Sequence, residues 1–422
     1  MDEKFAMLER YSFWDGRMPE TGFLRDDYLC KVREYTSQRL VKVLTGQRRA
    51  GKSYILRQIA YGLISSGIDS DNIFFLNKEY LAFDFVMNYG DLNDLFREYL
   101  QRKSPKGKVY IFIDEIQDID GWEKFVNSYS QDYTLECEIF ISGSNSNMLS
   151  SELSTLLTGR YVEFRVFPFS FIEYSSFMKK TLSRQSYLDY MQAGGLPELF
   201  RISGSEARMQ YVDGVKNTII LKDIVQRHSV RDAALLEELF TYLVNNSSNL
   251  VSVQNIVNFL SSKRRKTTYD TVSQYLEYLS EAFLIHKVER FDLKGKEILS
   301  GSAKYYANDP SYYNLLYGGY GYGAGYMLEN IVCLELLRKG YKVYVGTKNN
   351  HEVDFVAELS DRRIYVQVAY MLIGEDVIKR EYAPLQTIGD NYEKYVVSLD
   401  DIPLPSRDGV RNVQAWNLAT LL

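Results

Sequence analysis

The sequence predicts a multidomain α/β protein, and three observations carry that reading. A chain of 422 residues is too long for one typical core and points to roughly two to four domains. Short, largely apolar runs alternate with segments of helical period in the first half, as in a parallel sheet wrapped by helices. One such run leads straight into Gly46, Gln47, Arg48, Arg49, Ala50, Gly51, Lys52 and Ser53, which together fit the phosphate-binding loop pattern G-x-x-x-x-G-K-[ST].

The loop has the context its chemistry requires. Residues 40–44 read as a buried strand, and Tyr54 opens a segment with apolar residues at helical spacing. Backbone N–H groups of the turn and of the helix N-terminus point at anionic oxygens. Gly46 and Gly51 let backbone approach phosphate closely. Lys52 is expected to reach the β- and γ-phosphates of ATP, and the Ser53 hydroxyl to ligate Mg²⁺.

Residues 1–39 read as a helical lead-in, with Leu24, Tyr28, Leu29 and Val32 on one face. A second buried strand is expected at 73–76 and a helical crossover at 92–100. After Lys108, the five residues 109–113 form an apolar run that ends in Asp114 and Glu115. Such a strand delivers acids to the C-terminal edge of a parallel sheet, where open α/β sheets bind ligands. Asp114 is assigned to the Mg²⁺ shell, and Glu115 to orienting or deprotonating the attacking water.

The strand at 138–142 runs into a polar turn at 143–147. There Ser144 either senses the γ-phosphate or holds the lytic water; an ordinary Ser/Asn turn fits as well. Arg160, before a strand-like stretch at 161–166, either stabilises the transferring phosphoryl group, in cis or from a neighbouring subunit, or is a surface or capping arginine.

Composition narrows the rest. Hydrophobic residues make up 45% and charged residues 25%, as in ordinary globular proteins, and the net charge of −5 argues against a generally basic nucleic-acid binder. Cys30, Cys137 and Cys333 are far apart and fit neither a metal site nor a disulfide framework. There is no signal-peptide pattern and no apolar run of membrane-spanning length, so a cytoplasmic protein without a membrane partner is expected.

The combination of residues 46–53, Phe112 to Gln117, Gly143–Ser144, residues 157–160, 168–174 and 194–198 resembles the AAA-type ATPase domain of a large, mostly prokaryotic P-loop family. The resemblance spans nearly the whole chain. It implies ATP binding and hydrolysis, followed by a C-terminal domain of unknown function similar to the restriction-endonuclease fold.

Residues 201–229 have a helical pattern and are expected to extend the ATPase domain, giving domains at 1–229, 230–310 and 311–422. Within 230–310, helices at 235–243, 252–260 and 269–279, the last capped by Thr268, precede strands at 284–290 and 304–307. Three helices and a hairpin resemble a winged helix-turn-helix, whose third helix can enter a DNA groove. Lys263, Arg264, Arg265 and Lys266 stand just before that helix, where phosphates would lie. Basic and acidic residues nevertheless balance at ten each over 230–310, so a structural or protein-binding role fits equally.

The stretch 317–326 is glycine- and tyrosine-rich, but no register meets G-x-G-x-x-G, and it reads as a loop before a helix at 327–337. Strands follow at 342–345, 351–357 and 363–369. The order resembles the PD-(D/E)xK nuclease core, with Glu329 and Asp354 as two of its acids. Gln367 stands where that pattern has another acid and Ala369 where it has lysine, so nuclease activity is not expected. The function expected is an ATP-driven switch or motor; the alternative is an ATP-dependent DNA-binding or DNA-processing enzyme. Protein partners and a homo-oligomer are compatible with either.

Overall fold

A computed structural model describes residues 2–146, 159–317, 323–348 and 351–422. It divides into two compact units, Met1–Val166 and Phe167–Leu422. The boundaries expected at 229 and 310 therefore do not separate compact bodies, for reasons visible in the core and in the sheets.

The first unit begins with α1 (Asp2–Tyr11) and α2 (Asp26–Arg33). Tyr28, Leu29 and Val32 of α2 are buried as its period requires, whereas Leu24 lies outside the helix and is 48% exposed. The alternating core is β1 (Val41–Thr45), α3 (Lys52–Ser65), β2 (Ile73–Asn77), α4 (Tyr89–Lys103), β3 (Val109–Asp114), α5 (Trp122–Gln131), β4 (Cys137–Gly143) and β5 (Tyr161–Arg165). All five strands are parallel, in the order β2-β3-β4-β1-β5. Both faces are covered by apolar clusters, which is why β1, β2 and β3 are buried at every position.

The order has a direct consequence for chemistry. β4 lies between β1 and β3. The loop after β1 and the acids after β3 are thus two strand spacings apart, roughly 10 Å, within reach of one lysine side chain and with the end of β4 between them.

The second unit opens with α6 (Phe171–Met178), α7 (Arg184–Ala193) and α8 (Ser205–Thr218), which runs on into a π-helical stretch, Ile219–Gln226. α9 (Ala233–Asn245), α10 (Val253–Ser262) and α11 (Tyr269–Glu281) follow, and Thr268 caps α11 by accepting the N–H of Thr271. β6 (Ile285–Asp292) and β7 (Glu297–Ala307) form an antiparallel hairpin, and Val251 bridges to Ala303. After α12 (Ser311–Tyr317) come α13 (Ala324–Arg338), β8 (Lys342–Lys348), β9 (His351–Leu359), β10 (Arg362–Val368), α14 (Glu375–Gln386), β11 (Glu393–Ser398), β12 (Val410–Gln414) and α15 (Leu418–Leu421).

These strands make one mixed sheet in the order β12-β11-β10-β9-β8-β6-β7. β6 pairs in parallel with β8 at Arg290–Val345 and its neighbours, so the hairpin expected as a separate wing shares a sheet with the strands beyond 310. The helices counted with the ATPase domain have likewise found another core. Phe171, Tyr174, Tyr190, Val215 and Ile224 belong to the same apolar cluster as Leu239, Leu328, Tyr395 and Leu418. A polar clamp ties this unit together: Asp309, fully buried, accepts the N–H groups of Gly195 (2.7 Å) and Ser311 (2.9 Å). A Cβ on Gly195 would lie 2.4 Å from the Phe169 carbonyl oxygen, so only glycine permits this approach.

Candidate nucleotide site

The phosphate loop is shaped by steric need. Gly46 has φ +146°, and a Cβ there would lie 2.1 Å from the carbonyl oxygen of Val166. Gly51, at φ +101°, is the left-handed residue that starts α3, and Arg49 is left-handed as well (φ +66°). Ala50 donates its N–H to Gln47 O (3.3 Å), and Tyr54 to Gly51 O (3.1 Å). Gln47 and Ala50 are buried, Arg48 pairs with Glu79, and the Tyr54 ring lies against Gly22.

Lys52 is buried and folds over its own loop, donating to the carbonyls of Gly46 (2.9 Å) and Gln47 (3.2 Å). Its Nζ also lies 3.3 Å from Glu115 Oε1. Loop lysine and strand acid therefore meet.

Asp114 is fully buried and hydrogen-bonded on both oxygens. Oδ1 accepts the Ser142 hydroxyl, and Oδ2 accepts Asn77 Nδ2 at 2.9 Å. The Ser53 hydroxyl is near enough to favour its charged form. Burial, and next the Glu115 charge, push its carboxyl up to about 6, against the pull of those hydroxyls and Lys52. Glu115 moves the other way. Burial raises it, but Lys52, Arg48 and the Gln117 amide outweigh burial and hold it below the usual range. Two adjacent carboxyls are thus pushed apart, the electrostatic signature of a site with divided roles.

The backbone at Glu115 is left-handed, with φ +53° and ψ +51°. For a residue with a Cβ this costs about 1–2 kcal/mol. It is held by its N–H to Ser142 Oγ (3.1 Å), while Gln117 Nε2 meets its Oε2 at 2.6 Å. Ser144, fully buried, lies 3.5 Å from the same Gln117 nitrogen.

The structure therefore brings Lys52, Ser53, Asp114, Glu115 and Ser144 together. Arg160 is exposed, and its visible tie is the backbone bond from Val41 N to its carbonyl (3.0 Å). Asn147 and residues 157–158 of the sequence motifs lie outside the described residues, as do 318–322 of the glycine-rich loop.

Sequence reasoning missed Asn77, Ser142 and Gln117 as partners of the acids. Asn77 and Ser142 had a signal, since each is a polar residue closing an apolar strand. It also missed Arg25, which is 2% exposed and donates from Nη1 to the Ala50 carbonyl (2.9 Å), bracing the loop from below. Gln58 on α3 holds that segment by accepting Arg25 N–H (3.1 Å) and donating to Thr21 and Phe23 carbonyls (2.7 Å each).

In the second unit, Glu329 and Asp354 do come together, with Lys304 of β7 between them. Its Nζ lies 2.9 Å from Glu329, 2.7 Å from Glu352 and 3.5 Å from Asp354. Gln367 bonds Asp354 N (3.3 Å) and Glu381 (3.2 Å), and Ala369 is buried in the apolar layer. A lysine thus stands among these acids, delivered by a strand far in sequence from Ala369. Among the described residues no group of three or more His, Cys, Asp or Glu is arranged to hold a metal ion. No described helix is long and apolar enough to cross a membrane.

Residues 38–175 match a family described as an AAA domain, and residues 184–319 match a domain of unknown function (DUF8612). The chain is 37% identical over 382 residues to an uncharacterized protein of Haemophilus influenzae, covering 89% of this chain and 92% of that one. It is 31% identical over 347 residues to an uncharacterized protein of Methanocaldococcus jannaschii, covering 79% and 75%. Among solved structures it is similar to the Walker-type ATPase PABY2304 of Pyrococcus abyssi, with 16% identity, a TM-score of 0.49, and coverage of 71% of this chain and 98% of that one.

Proposed function

We propose, on the premise that the chain belongs to one family with these Haemophilus and Methanocaldococcus proteins and carries an AAA-type P-loop ATPase domain, that it binds and hydrolyses ATP and uses the cycle as a switch or motor. The observation that carries this reading is the meeting of Lys52 with Glu115 beside a buried Asp114. ATP is the substrate; the loop N–H groups and Lys52 bind its phosphates.

The donor set fits Mg²⁺. Ser53 and Asp114 offer hard oxygens near one another, and this ion takes few protein ligands and keeps its waters. Bound there, Mg²⁺ would neutralise charge on the phosphate oxygens. Glu115, ionised and buried, takes the proton of the attacking water, and Ser144 is assigned to the γ-phosphate or that water. Arg160 remains assigned to phosphoryl charge, in cis or from a second subunit.

The work of the cycle is the movement of the segments after the ATPase domain. α9, α10, α11 and the β6–β7 hairpin are read as a winged-helix-like element whose hairpin is continuous with the sheet of β8 onward, so the two move as one body. The strands from β8 onward are read as a nuclease-like fold without nuclease chemistry. The alternative, an ATP-dependent DNA-binding or DNA-processing protein, draws on Lys263, Arg264 and Lys266, which are exposed just before α11. Arg265 is instead tied to Asp232 at 2.7 Å, which reduces the charge on offer.

The test is ATP turnover with Mg²⁺, measured with and without single- and double-stranded DNA. Glu115→Gln should retain ATP binding yet lose turnover by 10²–10⁴-fold, the usual range for a lost general base. Lys52→Ala should weaken binding itself. Turnover of Glu115→Gln within about twofold of wild type would remove Glu115 from the role of base. Stimulation by DNA would favour the alternative.

A further inference from the structure

We propose that Gln117 is the positioning residue of this site, holding Oε2 of Glu115 so that Oε1 is the oxygen that receives the proton of the attacking water. The inference rests on the ATPase reading above and assigns a role to a residue outside the P-loop and the paired acids.

The geometry divides the two oxygens of one carboxylate. Oε1 faces Lys52 at 3.3 Å, and Oε2 accepts from Gln117 Nε2 at 2.6 Å. Gln117 sits on the 3-10 turn Ile116–Asp118 that follows directly from the left-handed Glu115, so backbone and side chain fix the same group from two directions. The same nitrogen lies 3.5 Å from Ser144 Oγ, linking the turn after β3 to the end of β4.

The two partners differ in what ATP does to them. Lys52 is a flexible ammonium bonded to its own loop carbonyls, and phosphate oxygens compete for it directly. As it turns to the phosphates, Oε1 is freed. Gln117 has no phosphate-binding charge and stays. Water then gives one proton to Oε1 as its oxygen bonds to the γ-phosphorus and the bond to the β-bridging oxygen breaks. ADP leaves, and the proton passes on to phosphate or solvent. A carboxylate held at one oxygen is aimed; a carboxylate held at neither samples rotamers that miss the water.

The experiment compares wild type, Gln117→Met, which keeps the side-chain length without the donor, and Gln117→Ala. Affinity for a fluorescent ATP analogue and kcat are measured on the full chain. Expected are unchanged affinity within about twofold and a fall in kcat of roughly tenfold or more. Unchanged kcat would overturn the proposal and leave the ATPase reading standing. Loss of affinity together with turnover would also overturn it, showing that Gln117 only supports the fold of the site. A wild type without ATP turnover would sink both.

Discussion

Lys304 Nζ lies 2.9 Å from Oε1 of Glu329, both inside the second unit, and this pair is the centre of its buried charge. The lysine side chain is 2% exposed and the glutamate 11%. Tyr306 completes the glutamate's surroundings by donating its hydroxyl to the same oxygen at 2.7 Å. An ammonium from β7 thus serves as the internal cation for carboxylates from α13 and β9.

Replacing that cation should be costly. Lys304→Met leaves Glu329 facing Glu352 and Asp354 without a counter-charge, and breaking a buried pair from one side typically costs about 3–5 kcal/mol. Chemical denaturation of wild type and variant measures it. A difference below about 1 kcal/mol, the value of an exposed pair, would mean that the pair is solvated.

Stability should depend on pH through Asp354. Burial, and next the Glu329 charge, raise its carboxyl to about 8 in the folded protein, against an ordinary 3.8. The folded state therefore holds this proton more tightly than the unfolded chain. Its contribution is complete below the ordinary value and is lost as pH rises through about 8. Asp354→Asn removes the titration and can still accept the Val368 N–H that Asp354 receives at 2.9 Å. Melting curves between pH 5 and pH 9 should fall more steeply for wild type than for the variant. Parallel curves would show Asp354 already ionised across the range.

Purified protein with plasmid, Mg²⁺ or Mn²⁺, and ATP should leave the DNA intact. Gln367 is a poor substitute for a hard carboxylate ligand, and Lys304 already occupies the space among the acids as their counter-charge. Cleavage that disappears in Asp354→Ala would show a working site. Nicking that persists in that variant would point to another source.

Arg25→Ala should loosen the phosphate loop although Arg25 lies well before it in the chain. Removing the guanidinium leaves the Ala50 carbonyl without this buried donor, a loss of about 1–3 kcal/mol. Lower stability together with weaker ATP binding is the expected result. Lower stability with unchanged binding would confine Arg25 to holding the N-terminal segment.

What the sequence determined by itself was local chemistry. The phosphate loop could be read because strand, turn, lysine and helix are contiguous, and a glycine forced by a 2.1 Å approach to Val166 appears in sequence simply as Gly46. Asp114 and Glu115 could be read because a strand of apolar residues must end by delivering its next side chains to the sheet edge. The Thr268 cap of α11 was equally local. Only the tertiary structure decided what those groups touch. That β4 lies between β1 and β3 is a matter of sheet order, which no local pattern encodes, and it is what brings Ser142 and Ser144 to the acids. The division at Val166 follows from which core the helices beyond it join, and an amphipathic face does not name its partner. Lys304 eluded the motif for the same reason. The motif assigns its lysine to one strand, whereas electrostatics requires only that an ammonium reach the buried carboxylates, and here a different strand supplies it.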